Sequence, residues 1–175
     1  MDKLYEKTDL PAACLPARQG EVGTGCCLKF DPKPWEDKEI TWKDKLFLKD
    51  HVRSIFHIPL NFGKVIVKNM EKIEKAKALS KKPLMLSDEN SLFGSDVYIA
   101  VDREVPDGKM VKISGTFLTK VFEGSFAKMG KWIKEMKEYV ESKNRQMKKL
   151  YFFYTTCPSC AKHYGKNYIV ILAKV

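Results

Sequence analysis

The residues best suited to metal or redox chemistry lie near the C-terminus, where Cys157-Pro158-Ser159-Cys160 is followed by His163. A single C-x-x-C supplies only half of a usual zinc ligand set, so the three-residue group Cys157, Cys160 and His163 needs a further ligand. That ligand would come from His51, His57, Cys26 or Cys27. The same spacing also suits a redox-active thiol pair, which requires one stabilised thiolate, or a hairpin loop whose thiols pack locally. The sequence leaves these three interpretations open.

Glu123 is the candidate catalytic residue. It continues the apolar face of a predicted strand that includes Val121. A carboxylate in apolar surroundings holds its proton more tightly and can serve as an acid, a base or a counter-ion. The alternative is an exposed residue just before a helix, where negative charge is favourable. The sequence contains neither a G-x-S-x-G nucleophile elbow nor a Walker-type phosphate loop.

Aromatic residues near the expected ligand cleft are the candidate binding residues. Their π faces attract cations and flat rings, so a cage of them suits such ligands. The alternative is that each ring simply fills the core. The candidates are Phe56, Tyr98, Phe117, Trp132, Tyr151 and Tyr154.

Composition limits the class of protein. The chain has 175 residues, of which 44% are hydrophobic, enough for one domain with a real core. The net charge is +10, but only four of the 32 basic residues are arginine, and the lysines alternate with glutamates in the predicted helices. Arginine supplies most bidentate contacts to bases and phosphates, so we expect no nucleic-acid partner. The odd number of cysteines, five, is typical of a reducing compartment rather than of a disulfide framework. The sequence shows neither a secretion signal nor a long apolar stretch, so we expect a cytoplasmic protein with no membrane contact.

The secondary-structure elements that position these residues are predicted to occur in the same order twice. The order strand, helix, strand, strand is predicted over 45–108 and again over 109–175, after an irregular arm at 1–44. Each unit begins with a long alternating strand, from Leu46 and from Val111, and continues with an amphipathic helix starting at Phe62 or Phe126. Glycine precedes the last strand of each unit, at Gly94 in the first. A seam between two such units is a natural place for a ligand cleft.

The layout and one local motif resemble the GyrI-like family. Val121-Phe122-Glu123-Gly124-Ser125-Phe126 is similar to the family's apolar strand running into Gly-Pro-Tyr, with serine where proline is usual and phenylalanine for tyrosine. The aromatic and apolar register of Trp132-Ile133-Lys134-Glu135-Met136 matches the second helix. The resemblance covers about residues 45–175. It implies a small-molecule-binding domain, found as the effector domain of multidrug-sensing regulators, whose aromatic cleft binds flat, apolar, sometimes cationic compounds.

One subgroup of that family departs from this chain. It is implied to hydrolyse cyclopropyl groups of DNA-alkylating antibiotics, with an acidic residue at the head of the final strand. The corresponding stretch here, Asn167-Tyr168-Ile169-Val170-Ile171, contains no acidic residue. The resemblance therefore favours binding over this kind of hydrolysis.

Together these observations predict an α+β domain. We expect two βαββ repeats to form an antiparallel sheet with two helices on one face, as in the GyrI-like fold, plus the irregular N-terminal arm. The predicted function is to hold a flat, largely apolar or aromatic compound in the cleft between the repeats, for sensing or sequestration. Two alternatives stay open: a hydrolase or detoxifying enzyme acting in the same cleft, and a zinc or thiol-redox module at Cys157 and Cys160. We expect a small hydrophobic or cationic ligand, a monomer or weak homodimer, and no cofactor other than zinc at the cysteines.

Overall fold

A computed structural model describes residues 27, 29–55, 58–91 and 93–175 of the chain. Its strands are β1 (Lys38–Ile55), β2 (Ile58–Pro59), β3 (Met85–Ser91), β4 (Gly94–Ala100), β5 (Lys109–Glu123), β6 (Lys149–Tyr154) and β7 (Tyr168–Lys174). The α-helices are α1 (Phe62–Lys75), α2 (Met129–Ser142) and α3 (Pro158–Tyr164), and a 3₁₀ turn at Phe126–Lys128 precedes α2. No helix in these ranges is long and apolar enough to cross a membrane.

The predicted open sheet with two helices on one face is wrong. Six of the described strands close into an antiparallel barrel in the order β1, β4, β3, β6, β7, β5, and β5 pairs back onto β1. The short β2 pairs with the end of β1 outside this ring. Each half contributes three adjacent strands in the same relative order, β1-β4-β3 and β5-β7-β6, and the halves meet at the β1–β5 and β3–β6 pairings.

The length of β1 allows the barrel to close. The strand is much longer than the alternation from Leu46 predicts. It begins at Lys38 and runs for 18 residues, so one part pairs with β4 while an overlapping part pairs with β5. The pairing register shifts at a bulge between Trp42 and Lys45, and bulges of this kind bend strands and increase their twist. Gly115 lies opposite Trp42 and takes φ +140°, a conformation that L side chains rarely adopt.

The closed sheet has an inside and two helix-covered outer surfaces. The interior cluster draws apolar residues from all six barrel strands, including the fully buried Phe47 on β1, Phe117 on β5 and Leu172 on β7. On the outside, α1 covers β1 and β4, whereas α2 covers β5, β6 and β7. Strand alternation gives each face of the sheet its own core. The two helices therefore stabilise separate outer surfaces of the barrel.

Two connections between strands also bear on the candidate sites. β3 remains extended as far as Ser91, so Asp88 and Glu89 belong to a strand. The connection between β6 and β7 contains α3, which begins directly after Cys157. Pro158 stands at its first turn, where the missing N–H costs nothing, and Gly165 ends it with φ +67°.

Candidate binding site at the charged end of the barrel

Two aspartates stand opposite each other at one end of the barrel. Asp88 on β3 and Asp96 on β4 are cross-strand partners, and they lie on the same faces as Leu86 and Tyr98 of the interior cluster. Like charges placed directly opposite are unfavourable in a sheet. A fold that retains such a pair must supply compensating cations.

Two lysines supply them. Lys149 Nζ lies 2.5 Å from Asp88 Oδ2, and Lys49 Nζ lies 2.6 Å from Asp96 Oδ2. The side chains of Lys49 and Lys149 are 21% and 34% exposed, whereas Asp88 is only 4% exposed, so the lysines form the rim and Asp88 lies beneath it. We call Asp88, Asp96, Lys49 and Lys149, together with the rings of Tyr98 and Tyr151 below them, the charged end. Two aspartates and two lysines leave it without net charge.

The hydrogen bonds of the charged end move several pKa values. The pKa of Lys49 is raised chiefly by its hydrogen bond to Asp96. Burial lowers the pKa of Lys149, but the hydrogen bond and attraction of Asp88, helped by Tyr151, outweigh it and raise this pKa. Burial likewise raises the pKa of Asp96, and the hydrogen bonds from Lys49 and His51 reverse that effect and lower it. The charged forms of these lysines and of Asp96 are therefore favoured at neutral pH.

Both lysines lie over aromatic rings. Lys49 Nζ is 5.3 Å from the ring centre of Tyr98, and Lys149 Nζ is 5.1 Å from that of Tyr151. The two rings contact each other edge to face with centres 5.7 Å apart. Distances below about 6 Å are in the range of cation–π attraction. Each half of the barrel thus presents a cation between a tyrosine ring and a carboxylate.

One carboxylate oxygen of the charged end makes no hydrogen bond to the described residues. Asp88 Oδ1 is inaccessible to solvent and has no hydrogen-bond partner among the described residues. An unpaired buried carboxylate oxygen costs free energy, so such atoms mark sites of function or of missing partners. His51 on β1 lies opposite Asp96, with Nδ1 2.9 Å from Asp96 Oδ1. The arrangement can hold a cation, or accept a proton from a bound water or ligand.

Three of the predicted ligand-binding residues come together beneath this end. Tyr98, Phe117 and Tyr151 belong to the interior cluster, and Phe117 and Tyr151 have ring centres 6.1 Å apart. All three rings are almost fully buried, so they form a packed floor rather than an empty cage. Phe56 lies outside the described residues.

Trp132 and Tyr154 lie elsewhere, in the outer core under α2. Trp132 stacks on Phe122 with ring centres 5.5 Å apart. Tyr154 packs edge to face on Phe126, and its hydroxyl donates a hydrogen bond to Glu89. They do not share a site with the three interior rings.

Glu123, at the end of β5, is half exposed and pairs with Lys166 at 3.4 Å between Nζ and Oε2. It lines a shallow depression of about 430 Å³. The residues around this depression are Glu123, Gly124, Ala161, Lys162, Gly165, Lys166 and Asn167. Aromatic rings are missing from this lining, and Glu123 does not belong to the interior cluster that contains Tyr98, Phe117 and Tyr151.

The cysteines of the C-x-x-C motif meet a third cysteine. The Sγ atoms of Cys27, Cys157 and Cys160 all lie within 4.8 Å of one another, and His163 is not in this group. The ring of His163 instead contacts Tyr164, with centres 5.4 Å apart. Burial, reinforced by the neighbouring thiols, raises the pKa of Cys27 to about 12.

The charged end escaped sequence reasoning although a signal for it was present. Leu86 and Asp88 alternate along one face of β3, in phase with Leu84 just before it, as do Asp96, Tyr98 and Ala100 along β4. An aspartate that continues an apolar alternation belongs to a buried face and requires a partner. The partner lysines on β1 and β6 could not be identified before the strand order was known.

The sequence matches the model of a known protein family. The family model described as "Bacterial hydrolase" matches residues 18–175. The chain belongs to this bacterial hydrolase family. None of the curated proteins compared with the chain matches it significantly.

Solved structures related to this family member share its fold. A hydrolase from Listeria innocua superimposes with a TM-score of 0.55 at 12% identity, covering 79% of this chain and 91% of that one. An uncharacterized conserved protein from Listeria innocua gives a TM-score of 0.56 at 12% identity, with the same coverage. At such identity these likenesses establish the fold.

Proposed function

We propose that this member of the bacterial hydrolase family binds a flat, largely apolar cation at the charged end of the barrel, for sensing or sequestration. The observation that supports this most is the repeated arrangement of a cation between a tyrosine ring and a carboxylate, at Lys49 and again at Lys149. The resemblance to GyrI-like binding domains points in the same direction.

Electrostatics favours a cationic over a neutral ligand. The shallow depressions on α1 and beside Glu123 do not include the charged end, whose aromatic floor is packed. A ligand must therefore displace the lysine side chains, whose flexible stems allow this. A neutral ligand in place of the Lys149 ammonium group leaves the buried Asp88 carboxylate uncompensated, which is costly, whereas a cation keeps the site neutral.

A matched pair of probes tests the proposal. N-methylphenanthridinium and neutral phenanthridine have the same ring system and differ in charge, and their fluorescence reports binding directly. We expect the cation to bind more tightly. Lys149→Met should increase its affinity roughly tenfold, since about 1.4 kcal/mol of competition is removed, and Asp88→Asn should weaken it.

Glu123→Gln is the control, because Glu123 is charged and half exposed but lies outside the charged end. Its affinity for the cation should equal that of the unmodified protein. Loss of binding in Glu123→Gln with retention in Asp88→Asn would contradict the proposal and move the site to the depression beside Lys166.

A second candidate function is hydrolysis of the bound compound. It is favoured by the unpartnered Oδ1 of Asp88 and by the description of the family. In this reaction Asp88 accepts a proton from water, the resulting hydroxide adds to an electrophilic carbon of the ligand, and the protonated Asp88 returns the proton to the group that leaves.

Glu123, the catalytic candidate from the sequence analysis, is the alternative carboxylate for this reaction. Mass spectrometry of an incubated reactive ligand would detect the addition of one water. Product formation that is abolished by Asp88→Asn and unaffected by Glu123→Gln would support hydrolysis at the charged end. The reverse pattern would assign it to Glu123.

A further inference from the structure

The three clustered cysteines form a group separate from the charged end. Cys27 precedes β1, whereas Cys157 and Cys160 belong to the connection between β6 and β7, 130 residues later in the chain. The hydroxyl of Tyr164 donates a hydrogen bond to the Cys27 carbonyl oxygen at 2.6 Å, which fixes the Cys27 backbone against α3. The fold therefore assembles a three-thiol group from two distant segments.

The distances suit a tetrahedral metal ion. Zinc binds thiolate sulfur at about 2.3 Å, which places the sulfurs of a tetrahedral site about 3.8 Å apart. The three Sγ atoms lie within 4.8 Å of one another, so each pair is at most about 1 Å farther apart than that spacing. Cys160 is 2% exposed, and the other two are half-buried, so the site excludes most solvent.

Backbone donors point at the sulfurs. The N–H of Cys157 donates to Cys27 Sγ at 3.3 Å, and the N–H of Cys160 donates to Cys157 Sγ at 3.4 Å. Such bonds stabilise negative charge on sulfur and orient metal-bound thiolates. A disulfide between two of the three thiols would leave the third beside it without a role, whereas a metal ion uses all three.

We infer that Cys27, Cys157 and Cys160 bind a structural zinc ion that joins the segment before β1 to the connection between β6 and β7. Zinc has a fourth coordination position, which water or one further side chain fills. Soft thiolate ligands select zinc over magnesium or calcium. Because the ligands come from distant segments, binding stabilises the folded chain.

Metal analysis of the full chain tests this inference. We expect about one equivalent of zinc per chain, and an intense sulfur-to-metal charge-transfer band after cobalt substitution, as thiolate sites give. Cys157→Ser and Cys27→Ser should lose the metal. His163→Ala is the control and should retain it, since His163 lies outside the thiol group.

A measurement on the unmodified protein covers the case in which the serine variants fail to fold. Iodoacetamide labelling followed by peptide mapping should show Cys27, Cys157 and Cys160 protected until a chelator is added. Less than about half an equivalent of zinc after growth with the metal, or a reversible disulfide within the C-x-x-C motif, would overturn the inference. Loss of zinc in His163→Ala but not in Cys27→Ser would do the same. None of these outcomes affects ligand binding at the charged end.

Discussion

Replacing Lys149 with methionine should destabilise the protein because it leaves the Asp88 carboxylate buried without a cation. Asp88 is 4% exposed and the Lys149 ammonium group lies 2.5 Å from it. Methionine keeps an unbranched side chain over the ring of Tyr151, so packing changes little. The expected loss is therefore mainly electrostatic.

The size of this loss follows from burial. Removing one partner of a buried ion pair costs about 3 to 5 kcal/mol. Since one third of the Lys149 side chain is exposed, water can partly replace its ammonium group, and we expect about 2 to 3 kcal/mol. Asp88→Asn removes the carboxylate charge, and we expect it to cost about 1 to 2 kcal/mol.

A double-mutant cycle isolates the interaction. If Asp88 and Lys149 form one buried pair, the two substitutions together cost less than their sum, with a coupling energy of about 1 to 2 kcal/mol. Urea unfolding at pH 7 measures all four proteins. The same cycle on Glu123 and Lys166, an exposed pair at 3.4 Å, is the matched control and should show no measurable coupling.

The pH dependence gives an independent check with a defined sign. Asp88 raises the pKa of Lys149 in the folded protein above its ordinary value of 10.5. This contribution to stability is complete below pH 10.5 and is lost as the pH rises through the folded pKa. The unmodified protein and Asp88→Asn should therefore differ by a constant amount at neutral pH, and the difference should shrink in strong alkali. Additive substitutions, or a difference unchanged in alkali, would refute the buried pair.

Three further predictions concern neighbouring residues. Because the pKa of Asp96 is lowered in the fold, Asp96→Asn should remove part of the stability that is present above pH 3.8 and lost at lower pH, measured by acid unfolding. Gly94→Ala places a Cβ 2.5 Å from Nε2 of His51, so histidine NMR signals should shift as the ring leaves Asp96, whereas unchanged signals would contradict this contact. Gly115→Ala forces φ +140° on alanine and crowds Lys174, and urea unfolding should show a loss of about 1 to 3 kcal/mol; an unchanged midpoint would show that the strand relaxes freely.

Local patterns predicted the elements better than their assembly. Alternation from Val111 to Glu123 follows β5, and the apolar spacing from Phe62 follows α1, because each pattern reports which side of a single element is buried. Closure of the sheet depends on pairing between β1 and β5, whose registers are set by long-range contacts. Charged residues such as Lys43 and Asp44 interrupt the alternation of β1 at its bulge. The alternation therefore does not indicate that the strand begins as early as Lys38.

The same distinction applies to the candidate sites. Tyr98, Phe117 and Tyr151 could be grouped from the sequence because each continues an apolar strand face. The charged end was missed because only strand pairing places Asp96 opposite Asp88, although alternation in each strand indicates that both carboxylates continue a buried face. The third thiol, Cys27, lies too far from the C-x-x-C motif for spacing alone to connect them.

A crystal structure of the protein with bound N-methylphenanthridinium tests the proposed binding site most directly. The account predicts the ring system over Tyr98 and Tyr151, its positive nitrogen facing Asp88, and the side chain of Lys149 swung away from that carboxylate. A ligand seated beside Glu123 and Lys166, with Lys149 still bonded to Asp88, would contradict it.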